Sequence, residues 1–128
     1  MPYTDLELKV LKMILDYKNS NFTILNEQLA FSRVLDRETD SAWFLSKILV
    51  DKSKARSINN STEKIIFWDV WCDVSQKIYM WFLLYIENWY ITLLEGYTYD
   101  DDFTQFDMQN YELVYEWWSN RNIPDELL

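Results

Sequence analysis

From Glu63 to Tyr97 the chain alternates or saturates with aliphatic and aromatic residues, and this stretch limits the possible folds more than any other feature. Over Glu63–Val74, Ile66, Trp68, Val70, Cys72 and Val74 recur at every second position, with Asp69 and Asp73 between them. Period two is the signature of a strand with one face buried. Lys77–Glu87 is apolar at both parities, with Tyr79, Trp81 and Tyr85 opposite Met80, Phe82 and Leu84. That pattern predicts a central strand covered on both faces. Glu87-Asn88 is the expected hairpin turn, because asparagine tolerates left-handed backbone. The chain is then expected to return through Trp89–Tyr97.

The remaining elements are placed around that hairpin. Thr4 followed by Glu7 is a capping-box pattern. Leu6, Val10, Ile14 and Tyr17 continue it at helical spacing, which predicts a helix over Asp5–Lys18. Asn19-Ser20-Asn21 reads as a turn, and Phe22–Ser32 as a second helix with Arg33 at its C-terminal end. Ala42–Val50 reads as a strand, Asp51–Thr62 as an exposed loop, and Tyr111–Trp117 as a last strand. The expected fold is α+β, with two N-terminal helices packed on a four- or five-stranded, mainly antiparallel sheet. Residues 1–128 form a single domain in this reading, with the polar tail 119–128 loosely held.

Composition excludes many activities. There is no histidine, which removes His-based triads and the commonest general base near neutral pH. One glycine cannot build either common phosphate-cradling loop. The single cysteine, Cys72, excludes an internal disulfide and fits a reducing compartment; on an apolar strand it reads as a core thiol. The longest apolar run, Ile78–Ile86, is too short for a membrane span, which needs about 20 residues. A cytoplasmic location without membrane or cofactor is therefore expected. Asp100, Asp101 and Asp102 with Asp107 hold oxygen ligands of the kind Ca²⁺ and Mg²⁺ take, but consecutive aspartates on an extended loop point apart. They read as solvated charge. Asp69, Asp73 and Glu95 show no spacing that singles out a hydrolase pair.

Charge is divided unevenly. Residues 1–60 hold nine of the twelve cations and eight of the 21 carboxylates, a net of +1; residues 61–128 carry a net of −10. The second half repels phosphates, which disfavours direct nucleic-acid binding, and attracts basic proteins. Trp and Tyr anchor interfaces, and a sheet with aromatics on both faces asks for a second cover. A partner protein, a homodimer or the 51–62 loop would provide it. Trp117-Trp118 on a strand would leave one indole outward. Tyr97, Tyr99 and Trp118 beside Asp100, Asp101, Asp102, Asp107, Glu112 and Glu116 form the expected partner-binding patch.

Leu94-Glu95-Gly96-Tyr97-Thr98-Tyr99 and Arg37-Glu38 carry a resemblance. With the opening helix L-E-L-K-V-L-K-M-I-L, the chain resembles a family of small bacterial, immunity-protein-like chains. Their hairpin ends in L-E-G-Y-T-Y. Two glycines of the family's middle segment are replaced here by Ser41 and Trp43, and D-D-D-F-T-Q-F stands where the family has a proline-containing stretch. The resemblance and the charge together lead to an expected non-enzymatic inhibitor of a basic toxin such as a nuclease. A phage anti-defence protein mimicking nucleic acid, a small-molecule-binding α+β domain and a structural homodimer are the alternatives. Gly96, the only glycine, is expected at a bulge or bend that turns Tyr97 and Tyr99 out of the sheet.

Overall fold

The structure is a computed structural model that describes residues 1–39, 43–59, 62–75, 78–98, 112–115, 121 and 123–128. It is α+β, with helices α1 (Asp5–Ile14) and α2 (Ser20–Ala30) preceding the strands. The strands are β1 (Ser32–Thr39), β2 (Trp43–Val50), β3 (Lys64–Ser75), β4 (Ile78–Glu87), β5 (Tyr90–Tyr97) and β6 (Glu112–Tyr115). They form one sheet in the order β1-β2-β5-β4-β3-β6, with every neighbouring pair antiparallel. The described residues hold six strands, the expected ones with β1 added. Its sequence, S-R-V-L-D-R-E-T, shows no alternation because only Val34 is buried.

The capping box starts α1 as expected. Thr4 Oγ1 accepts the Glu7 N–H at 3.1 Å, and Glu7 Oε1 accepts the Thr4 N–H at 2.7 Å. The helix ends at Ile14, four residues before the expected Lys18, because side chains take over its last carbonyls. Asn26 Nδ2 donates to Leu15 O at 2.9 Å, Arg121 Nη2 donates to Ile14 O at 2.6 Å, and Arg121 Nη1 donates to Asp16 O. Asn19, expected in a turn, is the N-cap of α2: its Oδ1 accepts the Phe22 N–H at 2.9 Å, so the helix begins at Ser20. Arg33 is therefore a β1 residue and not a helix terminus.

Asn19 also donates from Nδ2 to Leu127 O at 2.7 Å, and the Leu127 side chain is fully buried. These contacts tie Leu127 to the start of α2. Asn19→Ala should cost about 1 kcal/mol for the lost cap. Limited proteolysis should also show earlier cleavage at the tail; unchanged cleavage would mean that Leu127 burial and the bonds from Asn21 and Arg121 hold it without Asn19.

Both helices bury their apolar stripe on the same sheet face. Val10, Leu11, Ile14, Leu15, Phe22 and Leu25 share one core with Phe44, Ile48, Phe67, Phe82, Leu84 and Leu94. The described residues of the 51–62 loop are mostly exposed, as expected, but Ala55 and Ile58 turn inward. Gln28 ties the loop, α2 and the β4–β5 hairpin together. Its Nε2 donates to Arg56 O at 2.8 Å and Trp89 O at 3.0 Å, and its Oε1 accepts the Ile91 N–H at 2.9 Å.

The hairpin turn lies one residue beyond the expected Glu87-Asn88. Asn88 and Trp89 have φ values of 50° and 71°, as a two-residue primed turn requires. Trp89 is an unusual occupant, held there because its carbonyl accepts from Gln28 and from the Ile58 N–H at 3.1 Å.

In β3 the expected faces are reversed over its first half. Ile65 and Phe67 are buried under the helices, while Ile66 and Trp68 face outward. The register shifts between Phe67 and Val70, and this bulge returns Val70 to the buried face. Counting by twos from Val70 backwards across a bulge gives the wrong parity. The side-chain directions expected for Cys72, Asp69, Asp73 and Val74 lie outside the described residues.

Candidate aromatic interface on the sheet

The sheet's second face is built by register. Trp43 on β2 is opposite Tyr97 on β5, Tyr97 is opposite Trp81 on β4, and Trp81 is opposite Trp71 on β3. Four large aromatics therefore form one row across four strands. The Trp71 and Trp81 rings stack with centroids 6.5 Å apart and planes at 27°. Trp81 and Tyr97 stack at 6.1 Å and 24°. Cross-strand aromatic pairs of this kind stiffen a sheet and present flat, half-buried rings.

Two further rows continue the surface. Leu45, Glu95 and Leu83 are opposite one another, and Lys47, Leu93, Tyr85 and Ile66 follow. Among the described residues no helix covers this face, since both helices pack on the other one. Among the described residues the expected double coverage of β4 is met on one side: Met80, Phe82, Leu84 and Ile86 are buried, and Trp81, Leu83 and Tyr85 are half-buried.

Trp43, Leu45, Glu95 and Tyr97 surround a shallow recess of ≈ 270 Å³. Glu95 brings a half-buried carboxylate into a recess otherwise lined by Trp43, Leu45 and Tyr97. Its field reaches Tyr85: partial burial first, and then the charges of Glu95 and Glu87, push the Tyr85 hydroxyl above its ordinary value. Lys64 Nζ lies 5.7 Å from the Tyr85 ring, close enough for cation–π attraction. The surface thus combines aromatic rings, aliphatic side chains and carboxylates, which suits a partner presenting cations set among apolar groups.

Of the residues expected to bind a partner, Tyr97 lies in the row. Glu112 opens β6 opposite Asp73. Tyr99, Asp100, Asp101, Asp102, Asp107, Glu116 and Trp118 lie outside the described residues. Trp43, Trp71 and Trp81 complete the row without having been part of the expected patch. Their signal is register, which a sequence without known strand pairing does not display. Among the described residues no three His, Cys, Asp or Glu side chains gather as a metal site, and no helix is long and apolar enough to cross a membrane. The buried carboxylate Glu7 is enclosed by Arg37, Ser46 and Thr4. Comparison with known proteins gave no matching family model, no matching curated protein and no matching solved structure.

Proposed function

We propose that this chain is a non-enzymatic binding protein of the immunity type, which docks the sheet face that no described helix covers on a basic protein, a toxin such as a nuclease, in the cytoplasm. The observation that carries this reading is the row Trp43, Tyr97, Trp81 and Trp71 with Glu95 beside it. Interface energy concentrates in large aromatics near the centre of a patch. The net −10 of residues 61–128 would steer a cationic partner toward that patch.

The test is a pull-down from lysate of the native cell at low salt and at about 0.5 M salt, where the Debye length falls to about 4–5 Å. The expected result is one basic protein in stoichiometric amount, associating more slowly at high salt. With that protein in hand, Glu95→Lys should slow association about tenfold, by putting like charges across the contact. Trp81→Ala should weaken binding by about 2 kcal/mol or more, roughly 30-fold. Absence of any protein partner at both salts overturns the reading for that cell.

A further inference from the structure

A second recess lies at one end of the β1–β2 pair, beside the end of α2. Ser32 is opposite Val50 there, and Arg33 is opposite Leu49. Phe31 O extends the pairing by accepting the Asp51 N–H at 2.8 Å. The chain then turns: Asp51 O accepts the Lys54 and Ala55 N–H groups, both at 3.0 Å, and the buried Ala55 pins the turn to the core. The recess holds ≈ 710 Å³, within the range of about 300–1,000 Å³ for small-molecule sites. Phe31 and Leu49 give it apolar walls, 43% and 42% exposed.

Its charge is the inverse of the chain's. Arg33, Lys52 and Lys54 line it with Asp51, three cations against one carboxylate, a net of +2 in a chain of −9. Asp51 Oδ1 accepts the Ser53 N–H at 3.0 Å and Ser53 Oγ at 2.6 Å, so that carboxylate is held on its own turn. Lys52 Nζ lies 4.7 Å from the centroid of the Tyr90 ring, a cation–π placement. Among the described residues the ion pairs are Arg37–Glu7 and Arg56–Glu27, and the side chains of Arg33 and Lys54 have no hydrogen-bond partner. The end of α2 does not use them either. Its carbonyls at Glu27 and Gln28 accept the Phe31 N–H, and Leu29 O accepts Ser32 Oγ at 2.7 Å. A guanidinium and an ammonium therefore stand beside apolar walls with their donors unspent.

We propose that this recess binds a small organic anion, a phosphate monoester on a flat apolar body, with the body against Phe31 and Leu49 and the phosphate on Arg33 and Lys54. Arginine's planar fork matches phosphate oxygens two at a time, and lysine adds a point charge. Lys52, already placed over Tyr90, raises the local potential. The net −9 of the chain repels a ligand in proportion to the ligand's charge, which favours a small anion over a nucleic acid or an anionic bilayer. A concave wall also suits a compact molecule better than a flat membrane. The recess shares no residue with the row Trp43, Tyr97, Trp81 and Trp71, so this proposal and the proposed function fail separately.

Amide proton–nitrogen NMR spectra of the whole chain, titrated with phenyl phosphate, inorganic phosphate and benzyl alcohol, test this. Phenyl phosphate should shift the amides of residues 31–33 and 49–54 and saturate in the millimolar range, as a ligand of its size allows. Inorganic phosphate lacks the apolar body and benzyl alcohol lacks the charge, so each should bind at least about tenfold more weakly. Arg33→Ala and Lys54→Ala should each weaken phenyl phosphate about fivefold, a charged hydrogen bond discounted for exposure. Leu49→Glu puts a carboxylate where the ligand's body sits and should abolish binding. All three positions are exposed, so the far-ultraviolet circular dichroism should not change. The proposal is overturned by the absence of saturable shifts, by shifts confined to other residues, or by variants that bind as the wild type does. Equal binding of inorganic and phenyl phosphate overturns it too, since the apolar walls then play no part. So does sedimentation of the chain with phosphatidylglycerol vesicles in place of phenyl phosphate binding, which would make the patch a lipid-surface contact.

Discussion

Replacing Glu7 with alanine is expected to remove about 3 kcal/mol of folding stability, the low end of the range for breaking a buried ion pair. Glu7 is 2% exposed. It accepts from Arg37 Nε at 3.0 Å and Arg37 Nη2 at 2.6 Å, in a two-pronged contact. It also accepts from Ser46 Oγ and from the Thr4 N–H. One carboxylate therefore joins the start of α1 to β1 and β2. Its loss strands a buried hydroxyl and a cap N–H, but Arg37 is about a quarter exposed and its charge can reach water. That exposure places the figure at the low end.

Glu7→Gln separates charge from shape and brings a pH signature. Burial alone would raise this carboxyl, but hydrogen bonds from Arg37, Ser46 and Thr4, with the Arg37 charge, outweigh it and hold the group below its ordinary 4.5. The unfolded chain then takes up the proton first as pH falls. The stabilisation is present above about pH 4.5 and disappears as pH drops through the folded value. Urea unfolding followed by tryptophan fluorescence should show wild type above Glu7→Gln at pH 7 and the two approaching one another in acid. Parallel curves down to pH 3 would contradict a charged Glu7.

The same residue shows what a sequence discloses and what it hides. Thr4 and Glu7 are three apart, so their local bonding was readable. Arg37 and Ser46 lie 30 and 39 residues from Glu7, and nothing local announces that they converge on it. The β4–β5 hairpin was readable because saturated apolar runs on both sides of an asparagine have few alternatives. β1 was not, because an edge strand needs only one inward side chain and its charges resemble a loop. β3 was recognised as a strand but turned over, since a bulge changes parity without changing composition. The aromatic row is the extreme case. Each of its four residues is visible in the sequence, but their alignment exists only in the pairing of β2, β5, β4 and β3.

Gly96→Ala is expected to destabilise the fold by about 2 kcal/mol. A bend was the expected reason for this glycine, and the structure replaces that reason. Gly96 has no positive φ and pairs in register with Phe44 on one side and Phe82 on the other. Its requirement is space. A Cβ there would lie 2.3 Å from Phe44 Cε1 and 2.9 Å from Cζ. The Phe44 ring lies over the glycine, buried beneath the helices, with its centroid 6.3 Å from that of Phe82. It cannot swing aside without displacing that neighbour. Alanine returns about 0.5–1 kcal/mol of backbone entropy. Overpacking costs about 1–3 kcal/mol, and the buried ring favours the upper part of that range. The clash therefore wins. Phe44→Leu in the Gly96→Ala background should recover part of the loss, so that the double variant is at least about 1 kcal/mol more stable than the sum of the single effects. Additive effects would mean that the ring is not what the glycine serves. If the coupling is found, the chain's only glycine seats the Phe44 ring on the helix side. On the opposite face the neighbouring pair Trp43 and Tyr97 then stays in register, which is the alignment the aromatic row depends on.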